Sequence, residues 1–201
     1  MTGLMRSLGV AGVLAFAAPV AAQAPDPARA PVQALDDGLL SIMKNAGQLG
    51  YKGRADRIGP VVDQVFDLPL MTRLAVGPSW NGMTPADKAA LVAAFRRMTI
   101  AQYAANFDDW SGQGFTIDPK IETRGSDKVI RTVLVQPKGA SENLAYRLRQ
   151  TGGQWRVIDV YYRNSISQLA TRRSDFAGVL ASGGAKSLIA HLDQLTAKAA
   201  R

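Results

Sequence analysis

The sequence predicts an α+β fold: a helical N-terminal half, a four-stranded antiparallel sheet, and C-terminal helices. Three observations carry that prediction. Apolar residues recur at helical spacing from Val32 to Phe107. After Gly112 the signal changes to four β-branched and aromatic runs, 114–123, 127–136, 142–151 and 154–162, bounded by Gly, Pro and Ser. From about residue 165 onward two helical segments close the chain.

The first 22 residues read as a secretory signal peptide. Arg6 precedes an uninterrupted apolar stretch from Leu8 to Ala18, and small residues follow through Ala22. A cut after Ala24 would leave Pro25 obstructing the protease, so cleavage is expected after Ala22. The stretch falls short of the roughly 20 apolar residues that a membrane span needs. Residues 23–36, with three prolines in the first seven positions after Ala24, are expected to be a flexible leader, and 37–201 a single domain.

Within that domain Val32, Leu35, Leu39, Ile42, Met43 and Ala46 mark a first helix. A second, short helix carries Ile58, Val61, Val62, Val65 and Phe66 on one face. Asp67-Leu68-Pro69 supplies a cap and an early proline for a third, ended by Gly77-Pro78. Thr84-Pro85 opens the longest helix, to about Phe107. Turn-length gaps between the four runs mean hairpins, hence a meander. In the third strand Leu144, Tyr146 and Leu148 point one way, Ala145, Arg147 and Arg149 the other, giving one apolar and one wet face. Helices over 165–181 and 184–199 follow, broken at Gly183-Gly184.

The chain has no cysteine, which excludes disulfides, Cys–metal sites and thiol chemistry. Export without disulfides places it in a Gram-negative periplasm. A net charge of +8 draws it to anionic surfaces, and export favours a lipid headgroup over nucleic acid, for which no recognition motif is present. Arg96-Arg97, Arg147, Arg149, Arg156, Arg163 and Arg172-Arg173 are either a solvated charged face or, in part, the rim of a mouth that meets a phosphate.

Catalytic constellations are sparse. His191 stands one turn after Ser187 on a surface-type helix, with no nucleophile elbow. One histidine does not make a metal site. Gly183 to Ser187 lacks the contiguous Gly-Lys-Ser/Thr of a phosphate loop. The carboxylates of Asp36-Asp37 and Asp108-Asp109 diverge and are expected to be solvated.

Four segments together resemble the MlaC family of periplasmic phospholipid-binding proteins, also known as toluene-tolerance auxiliary factors. They are FDLPLMTRLAVGPSW (Phe66–Trp80), TPADKAALVAAFRRMTIAQYAANF (Thr84–Phe107), WRVIDVYYRNSIS (Trp155–Ser167) and RRSDFAGVLASGGAKSLIAHL (Arg172–Leu192). NFDDWSGQGFTI further resembles the hopanoid-associated branch, HpnM. The pattern departs at Asn164-Ser165, where many members carry Glu-Gly, which leaves the shape of that turn open. The resemblance implies a monomeric carrier, free of cofactor and metal, for a phospholipid or hopanoid. It would shuttle between an outer-membrane lipoprotein complex and an inner-membrane ABC-transporter complex, with acyl tails between sheet and helices. The tail-contact residues expected from apolar face and motif position are Phe66, Leu70, Leu74, Phe95, Met98, Tyr103, Leu144, Tyr146, Leu148, Trp155 and Ile158, with Arg73 and Arg147 at the headgroup. The alternative is a small cone-shaped α+β enzyme acting on a hydrophobic molecule, which requires a polar acid–base pair deep in the pocket.

Overall fold

The computed structural model describes residues 25–201, so the signal peptide and its cut after Ala22 lie outside the described residues. Four helices come first: α1 (Arg29–Lys44), α2 (Ala46–Val65), α3 (Leu68–Val76) and α4 (Pro85–Asn106), with a 3₁₀ segment, Gly77–Gly82, between the last two. The sheet follows as β1 (Gly114–Arg124), β2 (Asp127–Val135), β3 (Glu142–Thr151), β4 (Gln154–Tyr162) and β5 (Ile166–Ser167). A long helix, α5 (Gln168–Ala199), ends the chain.

The segment expected to be a flexible leader is corrected from Arg29 onward, where α1 already begins. Its prolines do not prevent this, because the first turn of a helix has no use for their missing N–H groups. Asp26 accepts from the Ala28 backbone N–H at 3.0 Å and from Lys128 Nζ at 2.5 Å. Arg29 donates to the Asp118 carbonyl at 2.9 Å, and Val32 and Leu35 are fully buried. The second helix also differs, running 20 residues instead of a few. Its glycines weaken the periodic signal, and Gly50 (φ 57°, ψ −177°) kinks it near its start. Arg54, buried, donates to the Ala104 carbonyl at 2.8 Å and so satisfies one of the orphan acceptors at the end of α4.

Caps sit where the sequence placed them. The Asp67 carboxylate accepts from the Leu70 N–H at 3.0 Å and from the Thr151 hydroxyl at 2.9 Å. The Thr84 hydroxyl accepts from the Asp87 N–H at 3.1 Å.

The sheet is an antiparallel meander in the order β1-β2-β3-β4-β5. The first four strands match the expected runs to within about a residue, and β5 is a two-residue addition. Pro119, which cannot donate to a ladder, falls where the β1–β2 register shifts between Ile117 and Ile121, on the edge strand. Ile130 pairs with Tyr146 and Thr132 with Leu144, so the apolar face of β3 turns toward the helices. On the other face Asp127, 1% exposed, binds Arg149 through two hydrogen bonds of 2.6 and 2.9 Å and Arg147 through one of 2.6 Å. Arg163 (φ 51°) and Asn164 (φ 59°) form the β4–β5 turn, closed by the Ser165 N–H to the Tyr162 carbonyl at 3.2 Å. Positive φ at both central residues is the type I′ geometry that suits strand twist.

The core is one apolar layer between the sheet and helices α1–α5. Leu35, Leu39, Ile58, Val62, Phe95, Met98, Ile130 and Leu148 are fully or almost fully buried there. Each such side chain contributes roughly 1.5–3 kcal/mol by leaving water. Phe95 of α4 meets Phe176 of α5 edge to face, with centroids 6.5 Å apart. The two expected C-terminal helices form one element with a sharp joint at Gly183 and Gly184. No helix among the described residues is long and apolar enough to cross a membrane.

Candidate functional site

Where α3, α4 and α5 lean on β4, the layer does not close completely. A cavity of about 170 Å³ remains, walled by Phe66, Met71, Phe95, Tyr103, Val160 and Leu169. Four of the wall residues reach the gap by three routes. Phe66 leaves α2 in extended backbone and bridges Val157 of β4, which aims its ring into the gap. Phe95 and Tyr103 lie eight residues apart, just over two turns, on the inner stripe of α4. Val160 pairs with Tyr146 on the inner face of the sheet.

An aromatic row runs along one side. Phe66 and Tyr103 are 5.8 Å apart between centroids, Tyr103 and Phe107 are 5.9 Å apart, and Phe107 and Phe115 are 6.5 Å apart. Burial pushes the Tyr103 phenol well above its ordinary range, so it stays protonated. Polar side chains of Thr99, Gln102, Asn106, Gln168 and Arg172 complete the lining. The result is an apolar floor with a polar, partly exposed rim. A broader hollow of about 440 Å³ between α2 and α4 is walled by Asp56, Arg96 and Arg97 among others. Its two arginines are already engaged, Arg96 with Asp63 and Arg97 with Asp193, both at 2.6 Å.

Of the residues expected at tails, Phe66, Phe95 and Tyr103 meet in the cavity. Met98 lies directly behind the wall, its sulfur 3.2 Å from the Arg172 guanidinium. Tyr146 and Leu148 are buried in the contiguous core, with Leu144 and Trp155 packed at its edge. Trp155 sits beside Pro27, Ala30 and Pro31, with Lys128 Nζ 4.8 Å from its ring centroid. Ile158 is buried but outside the main apolar cluster, next to the β3–β4 irregularity. On α3 the inward position is Met71, one residue beyond Leu70; Leu70 and Leu74 are half-buried and outside the lining. Arg73 is exposed, and Arg147 is held by Asp127 on the far face of the sheet. Met71, Phe107, Val160, Leu169 and the rim escaped the sequence reading. Arg172 was visible there only as one of several basic residues.

One carboxyl contradicts the expectation of a solvated Asp36-Asp37 pair. Asp37 is exposed, but Asp36 is 1% exposed, and neither of its oxygens has a partner among the described residues. Burial, with a smaller push from Asp37, raises it to about 7. It does not line the cavity.

Fold and site together define a small α+β protein with a largely apolar cavity of about 170 Å³ between one sheet face and three helices. The chain belongs to the MlaC family: the family model, described as MlaC protein, matches residues 33–194. Among solved structures it is similar to the phospholipid-binding protein from Ralstonia solanacearum in complex with a phospholipid. That match has 24% identity and a TM-score of 0.73, and covers 88% of this chain and 100% of the other. At that identity the likeness establishes the shared fold.

Proposed function

We propose that the protein is a periplasmic lipid carrier that shelters acyl tails in the cavity between β4, α3, α4 and α5. The observation that carries this reading is the lining itself: mainly aromatic and aliphatic side chains, with polar groups from α4 and α5 and a single charge, Arg172. Two tails of about thirty methylenes together cost more than 20 kcal/mol to leave in water, at roughly 0.8 kcal/mol each. A carrier must enclose them, whereas a headgroup can stay at the rim. Membership of the MlaC family and the phospholipid bound by the Ralstonia solanacearum protein support a phospholipid as ligand. A hopanoid is the second candidate, from the Asn106–Ile117 segment. Transfer between an outer-membrane lipoprotein complex and an inner-membrane ABC transporter is the family's role, extended to this chain. The enzymatic alternative needs an acid–base pair open to the cavity, and the buried carboxyl Asp36 is not among the lining residues.

The test is lipid extraction and native mass spectrometry of protein purified from its host. A bound lipid at near one equivalent is expected. Protein that arrives empty and takes nothing from liposomes would end this reading.

A further inference from the structure

Six arginines form ion pairs: Arg96 with Asp63, Arg97 with Asp193, Arg124 and Arg131 with Glu122, and Arg147 and Arg149 with Asp127. Arg172 is different. Its guanidinium lies in the cavity wall and has no carboxylate within ion-pair distance among the described residues. One amino group donates to Gln102 Oε1 at 2.5 Å, the other reaches only the weakly accepting sulfur of Met98 at 3.2 Å. The plane sits 5.7 Å from the centroid of Phe95, which is 1% exposed.

Neither Asp159 nor Asp175 pairs with Arg172 among the described residues. Asp159 accepts from the Ser167 hydroxyl at 2.6 Å and the Leu169 N–H at 3.0 Å, capping α5. Asp175, one turn along α5, is exposed and acts on Arg172 only through space. Arg172 is half-buried and is the one charged side chain among the lining residues, where a guanidinium cannot shed its proton. Burial does depress its proton affinity. Two of its five donors are engaged, and the residue lines the cavity together with Gln168 and Asn106.

We propose that Arg172 is the anion receptor of this cavity, binding the charged oxygens of a lipid's phosphate or carboxylate while the tails fill the aromatic floor. The assignment rests on the carrier reading and adds what selects the ligand. It places the headgroup on α5, away from Arg73 and Arg147. The paired oxygens of a phosphodiester or carboxylate match the guanidinium fork, and Gln102 fixes the plane of that fork in advance.

The test loads delipidated protein from vesicles of an uncharged, phosphate-free galactolipid doped with phosphatidylglycerol, palmitate, diacylglycerol or hexadecanol, and counts bound dopant and matrix lipid by native mass spectrometry. Wild type is expected to take the anionic dopants at least tenfold over their uncharged counterparts. Uptake of phosphatidylglycerol alone identifies phosphate as the anion; uptake of palmitate identifies carboxylate. Arg172→Met should lose that preference and keep uncharged uptake, and its lipid-free form should melt no lower than wild type. Arg172→Gln, which keeps polarity without charge, serves if the Met variant does not fold. Arg172→Lys should retain part of the preference. Equal uptake of charged and uncharged lipids by wild type, or undiminished anion preference in both neutral variants, overturns the assignment alone. Wild type that takes neither a dopant nor the matrix lipid defeats the carrier reading and this assignment with it.

Discussion

At the scale of single residues, two buried carboxyl groups respond to pH in opposite senses. Asp36 titrates at about 7 in the folded protein against 3.8 in the unfolded chain. The folded state thus keeps a proton that the unfolded chain releases above about pH 4. Stability falls as pH climbs from about 4 to about 7 and levels off beyond, with a span on the order of 4 kcal/mol. Asp36→Asn, which mimics the protonated form, should flatten that slope and raise the melting temperature at pH 8. Thermal unfolding of both proteins across this range checks it; parallel curves would mean that the carboxyl finds a partner. Asp127 behaves in the opposite sense. Its Arg149 and Arg147 hydrogen bonds hold it below the usual carboxylate range, so its contribution is complete above that range and is lost on acidification. A third carboxylate, Asp67, ties α3 to the end of β3 through Leu70 and Thr151. Asp67→Ala is expected to cost about 1–2 kcal/mol in urea unfolding, the loss of a helix cap.

At the scale of elements, strands and caps were legible because their signals are local. Alternation over nine to eleven residues, bounded by Gly125 and by Gly152-Gly153, placed β1 to β4 to within about a residue. What escaped was set by partners distant in sequence. Helix α2 holds its glycine-rich start through Arg54 reaching Ala104, a contact that no window around residue 50 can reveal. The start of α1 is secured on β1 and β2 through Arg29 and Asp26. In the cavity, periodicity found Phe66, Phe95 and Tyr103 as apolar stripe positions. It could not say that α3 turns Met71 inward instead of Leu70, because a rotation of one residue leaves the amphipathic pattern intact. Arg172 was equally hidden, since its distinction is being the one charged side chain in the cavity lining, and that exists only in three dimensions. The joint in α5 separates propensity from geometry. Gly184 (φ 63°, ψ −153°) occupies a region open essentially to glycine alone. Helix propensity says that Gly184→Ala gains about 1 kcal/mol, whereas the geometry says that it loses about 1–3 kcal/mol. Chemical denaturation of that variant should show the loss.

At the scale of the whole molecule, the proposed carrier function makes the free energy of folding depend on cargo. A ligand that binds only the folded state at one hundred times its dissociation constant adds about 2.7 kcal/mol. Lipid-loaded protein should therefore melt several degrees above the stripped form. Differential scanning calorimetry before and after delipidation checks this, and identical transitions would argue that the cavity is ordinary packing. No disulfide can contribute, because there is no cysteine. The scaffold rests on its apolar layer, the Asp127 cluster and its caps.

The glycine joint in α5 has a further consequence, for amide hydrogen exchange. The half before Gly183 supplies Gln168, Leu169 and Arg172 to the cavity, while the half after Gly184 packs through Leu188 and Leu192 and is held to α4 by Asp193. Non-helical backbone at both glycines interrupts the hydrogen-bond ladder between them. The two halves should then open as separate cooperative units. Amides over 172–180 are expected to exchange faster in the empty protein and slow on lipid loading. Those over 187–195 should exchange at one rate in both states, so a single helix carries both the sensor of occupancy and its internal reference.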